Sequence, residues 1–416
     1  MLLQFSCANH KSIRSRVLFS AMAGKDNSHE DMTLSVSEGR VLKSAVIYGA
    51  NASGKSNFID AIAFMKWLVT RSVQLQPGQI IRQVPHKLSN TDESEYEMHF
   101  ITNNIHYVFG FSIRNMLVFK EHLLYFPNGR QTKIYEREGM SIALGYRFRG
   151  KFKNALESLK ENRLFLSCAA NFSSVQEVLD VFQFFDSELV IYHPANQENW
   201  LNYSLYQIHE NSNIKNAVVH FLSELGIQLS DIDVKIDQAK IDSAQLPPIL
   251  SEEFKQLLMQ QNVDAISAKL IYDGITVDLM SEESTGVQKL FGLICPLIDI
   301  MANGKTLICD ELESGLHESL LYGMVKLFMN YKSDRFAQLF FSTHETGLLN
   351  LDLFRRDQVW FTEMRKTDRS TDLFSLAELK NVRKDENLGK GYIAGKYGAI
   401  PMLNLNFADV VKKLMG

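Results

Sequence analysis

The eight residues Gly49-Ala50-Asn51-Ala52-Ser53-Gly54-Lys55-Ser56 constrain this chain more than any other stretch of its 416 residues. They fit the pattern GxxxxGK[ST]. The preceding "SAVIYG" (Ser44–Gly49) is a short apolar run ending in glycine, and it reads as a buried strand feeding a turn. The following "SNFIDAIAFMKWLV" places Phe58, Ile62, Met65 and Val69 at helical spacing. Strand, glycine loop and helix in that order make a phosphate cradle. The loop N–H groups point inward, and the helix N-terminus favours negative charge. A lysine at position 55 reaches the β- and γ-phosphates, and the Ser56 hydroxyl ligates Mg2+. The candidate nucleotide-binding residues are Gly49, Asn51, Ser53, Gly54, Lys55, Ser56 and Asn57. A chance glycine turn has no need of the flanking strand and helix.

Two later strands end in polar clusters. "KTLICDE" stops at Asp310-Glu311, where one carboxylate can hold Mg2+ through water and its neighbour can polarise an attacking water. "AQLFFSTHE" carries His344, which then sits beside the terminal phosphate as a sensor. Acids often open a loop after a strand, and a lone histidine is usually a satisfied polar residue. Here the cradle upstream gives both a task. Between cradle and acids lies "SEESTGVQKL" (Ser281–Leu290), with Ser284, Gly286 and Gln288 at the start of an apolar helix. Alone it is a helix cap. In this position it is a second anion-facing helix start.

The rest of the chain falls into three stretches. Residues 1–150 form an N-terminal lobe. In it Leu2–Ala8 and Val17–Ser20 read as paired strands, and Glu95–Arg137 as an antiparallel meander with turns at Asn103-Asn104 and Pro127–Arg130. Residues 151–275 read as a mostly helical insertion. It includes "NALESLKENRLFLSCAANF", "VQEVLDVFQFF", "NIKNAVVHFLSELG" and "EEFKQLLMQQ", a short strand at Glu188–His193, and a break at Ala244–Leu250. Residues 276–416 return to α/β, with "HESLLYGMVKLFMNY" as a helix, "DQVWFTEM" as a strand and a lysine-rich tail.

Composition excludes some functions. The apolar share is 45%, the charged share 22% and the net charge −4, so bulk charge does not support tight non-specific nucleic-acid binding. Basic runs at Tyr146–Lys153 and Leu379–Lys396 read first as solvated surface and second as local nucleic-acid or partner contacts. Cys7, Cys168, Cys295 and Cys309 show no zinc-ligand spacing and read as reduced, partly buried thiols of a cytoplasmic protein. The opening "MLLQFSCANHKSIRSR" has its basic residues after its apolar ones, the reverse of a secretory leader. The apolar run Leu290–Met301 is short for a bilayer and carries Asp299, so it reads as a buried helix and no membrane contact is expected.

The order of cradle, insertion, Ser-x-Gly-x-Gln, acid strand and histidine strand resembles the ABC-type ATPase heads. It is most similar to the SMC/RecF-like branch and to the ATPase part of OLD-family nucleases. More narrowly, it resembles the small bacterial AAA-type, ABC-class ATPases of anti-phage operons. "FSCANHKSIRSRVLFS", "LICDELESGLH", "FRRDQVWFTEM" and "LFSLAELKNVRKDENLGKGYIAGKYGAIP" carry that likeness at both ends of the chain. The resemblance implies an α/β P-loop NTPase fold: an ABC-type ATPase head with an antiparallel β subdomain and a helical insertion. It implies ATP and Mg2+ as ligands, and a homodimer closing on nucleotide. Lys55 and Ser56 then bind phosphate and metal, Asp310 positions Mg2+ and Glu311 is the general base. Ser284 and Gly286 contact the γ-phosphate of the opposite subunit, Glu313–His317 form the D-loop and His344 is the switch histidine. Gln83 is the candidate for the glutamine loop. The signature reads Ser-Thr-Gly where transporters have Ser-Gly-Gly.

Three functions fit this reading. One is an ATP-hydrolysing switch that controls a separately encoded effector, a nuclease or toxin, in phage defence. The sequence carries no nuclease constellation of its own. The second is a repair-type clamp on nucleic acid. The third is a non-hydrolysing scaffold that binds ATP and stores a toxin. A transporter subunit fits less well, given the long insertion and the divergent signature.

Overall fold

The strand at residues 44–49 lies between residues 338–342 and 359–364. All six residues of Ser44–Gly49 are buried, so this strand needs a neighbour on each side and cover on both faces. The computed structural model supplies both. It describes residues 1–240, 262–333, 335–380, 382–383 and 386–400. The chain forms two compact units. One comprises Met1–Tyr192, Asn303–Leu312 and Tyr331–Gly416; the other comprises His193–Ala302 and Glu313–Asn330.

The first unit begins with strands β1 (Leu2–Ala8) and β2 (Val17–Ser20) and the hairpin β3 (Thr33–Val36) and β4 (Gly39–Leu42). Then come the cradle strand β5 (Ser44–Gly49) and helix α1 (Lys55–Arg71). The meander follows as β6 (Ser94–Thr102), β7 (Ile105–Arg114), β8 (Leu117–Tyr125), β9 (Thr132–Glu138) and β10 (Ser141–Leu144). It joins the first two strands in a seven-stranded antiparallel sheet of order β10-β9-β8-β7-β6-β1-β2. The expected turns are present: Asn103 and Asn104 both have φ near +50° to +60° (48° and 60°), the two-residue hairpin geometry that asparagine tolerates.

Helices α2 (Lys153–Ser158), α3 (Phe165–Phe172) and α4 (Gln176–Gln183) lead into β11 (Leu189–Tyr192). These residues, expected to belong to the insertion, pack with the meander instead. The cause is Glu121 of β8, 1% exposed. Its carboxylate accepts the first N–H groups of α3, from Phe165 at 2.7 Å and Leu166 at 2.8 Å, and the Tyr135 hydroxyl at 2.7 Å. Arg137, also buried, faces it at 3.4 Å. A carboxylate at a helix N-terminus satisfies donors that the helix itself cannot.

Strands β11 and β5 complete the central sheet with β15 (Thr306–Cys309), β16 (Gln338–Ser342), β17 (Val359–Met364) and β18 (Thr371–Ser375). Its order is β11-β15-β16-β5-β17-β18, parallel except for the last pair. Phe19 of β2 lies 5.2 Å from Phe340 and 5.0 Å from Trp360, and Phe58 of α1 lies 5.6 Å from Phe5, measured between ring centroids. The two sheets and α1 therefore share one core. Each of these fully buried rings contributes about 1.5–3 kcal/mol.

In the second unit, α5 (Gln197–Glu210) and α6 (Ser212–Glu224) form a helical hairpin whose turn is capped by Asn211. β12 (Asp231–Lys240), β13 (Asn262–Tyr272) and β14 (Ile275–Asp278) form a three-stranded antiparallel sheet in a stretch expected to be helical. The alternation of Ile232, Val234 and Ile236 with Asp231, Asp233 and Lys235 is the strand period that explains it. Helix α7 (Thr285–Asn303) is the expected buried helix. It is long and apolar enough to cross a membrane, yet 67% of its apolar window is buried inside the protein. Gly292 lets the backbone of α5 approach, the Ser204 hydroxyl donating to its carbonyl at 3.2 Å. Helix α8 (Glu318–Asn330) is the helix expected after the acid strand. The expected unit boundaries at 150 and 275 therefore do not coincide with these two bodies. The expected helix "EEFKQLLMQQ" and the break at Ala244–Leu250 lie outside the described residues, as does Pro401 of the tail motif.

Candidate functional site

The C-terminal edge of the parallel sheet collects the polar residues. In-register pairing of β5 with β16 (Phe341 with Val46, Ser342 with Ile47) and of β16 with β15 (Phe341 with Cys309) sets three strand ends side by side. The cradle follows β5, His344 follows β16 and Asp310-Glu311 follow β15. Ligands of open α/β sheets bind at this edge.

The loop fits a polyphosphate. Lys55 is 5% exposed, and its Nζ donates to Gly49 O at 2.8 Å and Ala50 O at 3.2 Å. Its ammonium is thus held within the loop that α1 closes. Gly49 and Gly54 have no room for a side chain. A Cβ on Gly49 would meet Thr362 Oγ1 at 2.3 Å, and one on Gly54, where φ is +111°, would meet Thr371 Oγ1 at 2.1 Å. Asn51 and Ser56 are exposed, and Asn57 is half-buried. Ser53 is 1% exposed, and its polar groups all have partners. Its N–H donates to Ala50 O at 3.1 Å, its hydroxyl lies 2.6 Å from Thr362 Oγ1, and its carbonyl accepts from Thr371 Oγ1 at 2.9 Å.

The two acids are held by a serine that motif reading passed over. Ser342 Oγ donates to Asp310 Oδ1 at 2.6 Å and accepts the Glu311 N–H at 2.8 Å. Glu311 has φ +50°, a strained conformation for a residue with a side chain, at the point where the carboxylate leaves the strand. Asp310 is 2% exposed and Glu311 half-buried. His344 is exposed, in a loop pinned by the Tyr48 hydroxyl to Glu345 O at 3.0 Å. Ser56 and Asp310 offer the hard oxygen donors that suit Mg2+.

Gln83 is 7% exposed; its Nε2 donates to Asp92 O at 2.6 Å, and its Oε1 is buried without a partner. Its loop is tied to the segment after β1 by Lys11 N to Val84 O at 2.7 Å. Ser284 and Gly286 lie in the second unit, at the start of α7. The Ser284 hydroxyl accepts the Val287 N–H at 3.3 Å, and a Cβ on Gly286 would meet Gly315 O at 2.3 Å, so this turn packs on the backbone of the stretch expected as the D-loop. The four cysteines are buried and form no disulfide, and burial pushes the Cys295 thiol up to about 11, which removes its thiolate chemistry at neutral pH.

Over residues 44–350 the chain matches the family described as "AAA domain, putative AbiEii toxin, Type IV TA system". It belongs to this AAA family. The match runs from β5 through the histidine loop, so the cradle, the acids and His344 of this AAA domain all lie inside it. No curated protein matches the chain. Among solved structures, the SMC head domain from Thermotoga maritima is 13% identical, with 90% of this chain and 98% of that chain covered and a TM-score of 0.42. The SmcHead bound to the C-winged helix domain of ScpA gives 13%, 90%, 97% and 0.45. The Smc head with an extended coiled coil derived from Pyrococcus furiosus gives 11%, 90%, 96% and 0.41. The chain is α/β, with a six-stranded, largely parallel sheet and a seven-stranded antiparallel sheet, and the stretch expected as a mostly helical insertion contains strands as well as helices.

Proposed function

We propose that this AAA domain is a Mg2+-dependent ATPase that dimerises on nucleotide and switches a separately encoded effector, a nuclease or toxin, in the cytoplasm as part of phage defence. The convergence of the cradle, Asp310-Glu311 and His344 at one edge of one parallel sheet carries the enzymatic part. The toxin–antitoxin description of the family and the resemblance of both chain ends support the biological part.

In this reading the α1 N-terminus and Lys55 hold the phosphates, with Gly49, Asn51, Ser53, Gly54 and Asn57 shaping or lining the cradle. Ser56 and Asp310 hold Mg2+, which when bound neutralises charge on the β- and γ-oxygens. Ser342 fixes the Asp310 carboxylate and the Glu311 backbone together. Glu311 accepts the proton of the attacking water, and His344 contacts the terminal phosphate. Gln83 is the glutamine that approaches the cation, in keeping with its buried, unpartnered Oε1. Ser284 and Gly286 serve the site of the opposite subunit.

The test is ATP turnover. Glu311→Gln should lower the rate about 10²-fold or more while ATP still binds. Lys55→Ala should weaken binding itself by about tenfold to a hundredfold. Equal turnover by wild type and Glu311→Gln would remove Glu311 as the base. Tight binding with no wild-type turnover would replace the switch by the ATP-bound scaffold.

One observation favours the clamp as a second reading. Arg147, Arg149, Lys151 and Lys153 are all exposed, and Tyr146 beside them is 84% exposed with the Arg149 guanidinium 5.3 Å from its ring. Basic side chains around an open aromatic ring suit a nucleic-acid backbone and a base. Turnover that rises with DNA or RNA and loses that response steeply with salt would support it. Indifference to every nucleic-acid form would exclude it.

A further inference from the structure

Four groups join the cradle to two distant segments. Asn57 Nδ2 lies 2.7 Å from Ser12 Oγ, Ser12 Oγ lies 2.7 Å from Thr371 Oγ1, and Thr371 Oγ1 lies 2.9 Å from Ser53 O. The proton positions follow from chemistry. A carbonyl can only accept, so Thr371 gives its one hydroxyl hydrogen to Ser53 O. Thr371 must then accept from Ser12, and Ser12, its hydrogen spent, must accept from Asn57. The series is directed from end to end: Asn57 to Ser12, Ser12 to Thr371, Thr371 to Ser53. It starts and finishes in the cradle, and bonds arranged head to tail polarise one another. A backbone bond from Thr371 N to Ser12 O at 2.8 Å keeps the two middle members together. Thr371 is 3% exposed, so water does not compete.

The last acceptor is what gives the series a function. In a trans peptide the carbonyl and the next N–H point in opposite directions. Drawing Ser53 O toward Thr371 turns the Gly54 N–H to the other side, the side where the loop N–H groups receive phosphate. A second arm supports the same peptide: Thr362 Oγ1 donates to Tyr48 O at 3.4 Å, so the Ser53 hydroxyl donates to Thr362.

We propose that Thr371 is a positioning residue for nucleotide binding, acting through the Ser53–Gly54 peptide, with Ser12 as its relay to Asn57. The inference rests on the nucleotide reading of the cradle. Thr371 does not touch the phosphates; it sets the direction of a donor that does.

The test compares Thr371→Val, which keeps shape and loses the hydroxyl, with Thr371→Ser, which keeps the hydroxyl and loses a methyl. ATP affinity is measured by calorimetry, alongside the thermal midpoint of the nucleotide-free protein and steady-state kinetics. Thr371→Val should raise the ATP dissociation constant and KM about tenfold with kcat within about twofold, and Thr371→Ser should stay within about threefold of wild type. A mere packing role predicts the opposite order, with the serine variant the weaker. Should the valine variant fail to fold, Ser12→Ala cuts the same series one step earlier and should raise the dissociation constant about threefold. Unchanged affinity in Thr371→Val, or in Ser12→Ala where the valine variant does not fold, would overturn the positioning role while leaving the nucleotide site intact. Wild-type protein that binds no ATP would overturn both.

Discussion

The cradle at residues 49–57 and the turn at Ser284–Gly286 are both helix starts shaped for an anion, and they are built in opposite ways. The cradle is held from far away. Its partners are Ser12, Thr362 and Thr371, and Ala399, whose carbonyl accepts the Ala50 N–H at 2.8 Å. The Ser284 turn is held by its neighbours. Val287 and Gln288 donate back to Ser284, and the Gln288 side chain reaches Leu279 O and Met280 O, each at 3.1 Å. A loop fixed by long-range contacts is pre-formed for its ligand and loses little entropy on binding. The hydrogen bonds of the Ser284 turn come from its own segment, while Gly286 packs against the backbone at Gly315. The difference fits the roles proposed above, nucleotide binding for the cradle and service to the opposite subunit for Ser284 and Gly286.

The comparison can be broken at its most constrained point. Gly54→Ala puts a Cβ 2.1 Å from Thr371 Oγ1 at a φ of +111°. It should raise the ATP dissociation constant by about 100-fold or more, as both the loop and its anchor must shift. Calorimetric binding close to that of wild type would show that the long-range anchors do not shape the cradle.

Gly286→Ala sharpens the other side. Its Cβ would meet Gly315 O at 2.3 Å, so the turn must open locally. ATP binding by a single subunit should stay within about twofold, while turnover falls about tenfold if the proposed contact across the dimer is lost. Loss of binding in the isolated subunit would mean the two halves are not separable.

The smallest effect is a pH slope confined to the cradle's own helix. Burial brings the Lys66 ammonium on α1 down to about 8, against the opposing pull of Asp186. Between that value and the ordinary lysine value near 10.4, the unfolded chain holds a proton that the folded chain lacks. Stability therefore rises as pH goes from about 8 to about 10, by on the order of 1 kcal/mol after solvent screening. Denaturant titrations across that range should show this rise, and Lys66→Met should flatten it. The same slope in both proteins would assign it to other groups.

Local pattern revealed the elements and missed the ties between them. The cradle, its strand and its helix follow from eight residues and their flanks, and β1, β2, the meander, β15, β16 and β17 follow from alternation or apolar runs. Within the stretch 151–275, expected to be mostly helical, β12 and β13 are strands, as the period-2 run at Ile232, Val234 and Ile236 requires. Residues 151–192 lie in one compact unit with the antiparallel sheet, where Glu121 caps a helix 44 positions later, a tie that no local pattern announces. Ser342, Thr362, Thr371 and Ser12 carry no motif. Each is an ordinary hydroxyl whose role appears only when sheet pairing sets it beside the loop or the acids.

The span of the cradle's anchors also has a consequence for how the protein is made. Ser53 and Thr371 are 318 positions apart. At roughly 5–20 residues per second, a ribosome needs about 15 to 60 s to go from one to the other. For most of that interval β5 has neither of its final neighbours, since β16 and β17 are made only near its end, whereas the antiparallel sheet has all its strands once Leu144 is made. The nascent chain thus carries an unpaired apolar strand beside a nucleotide loop that lacks its anchors.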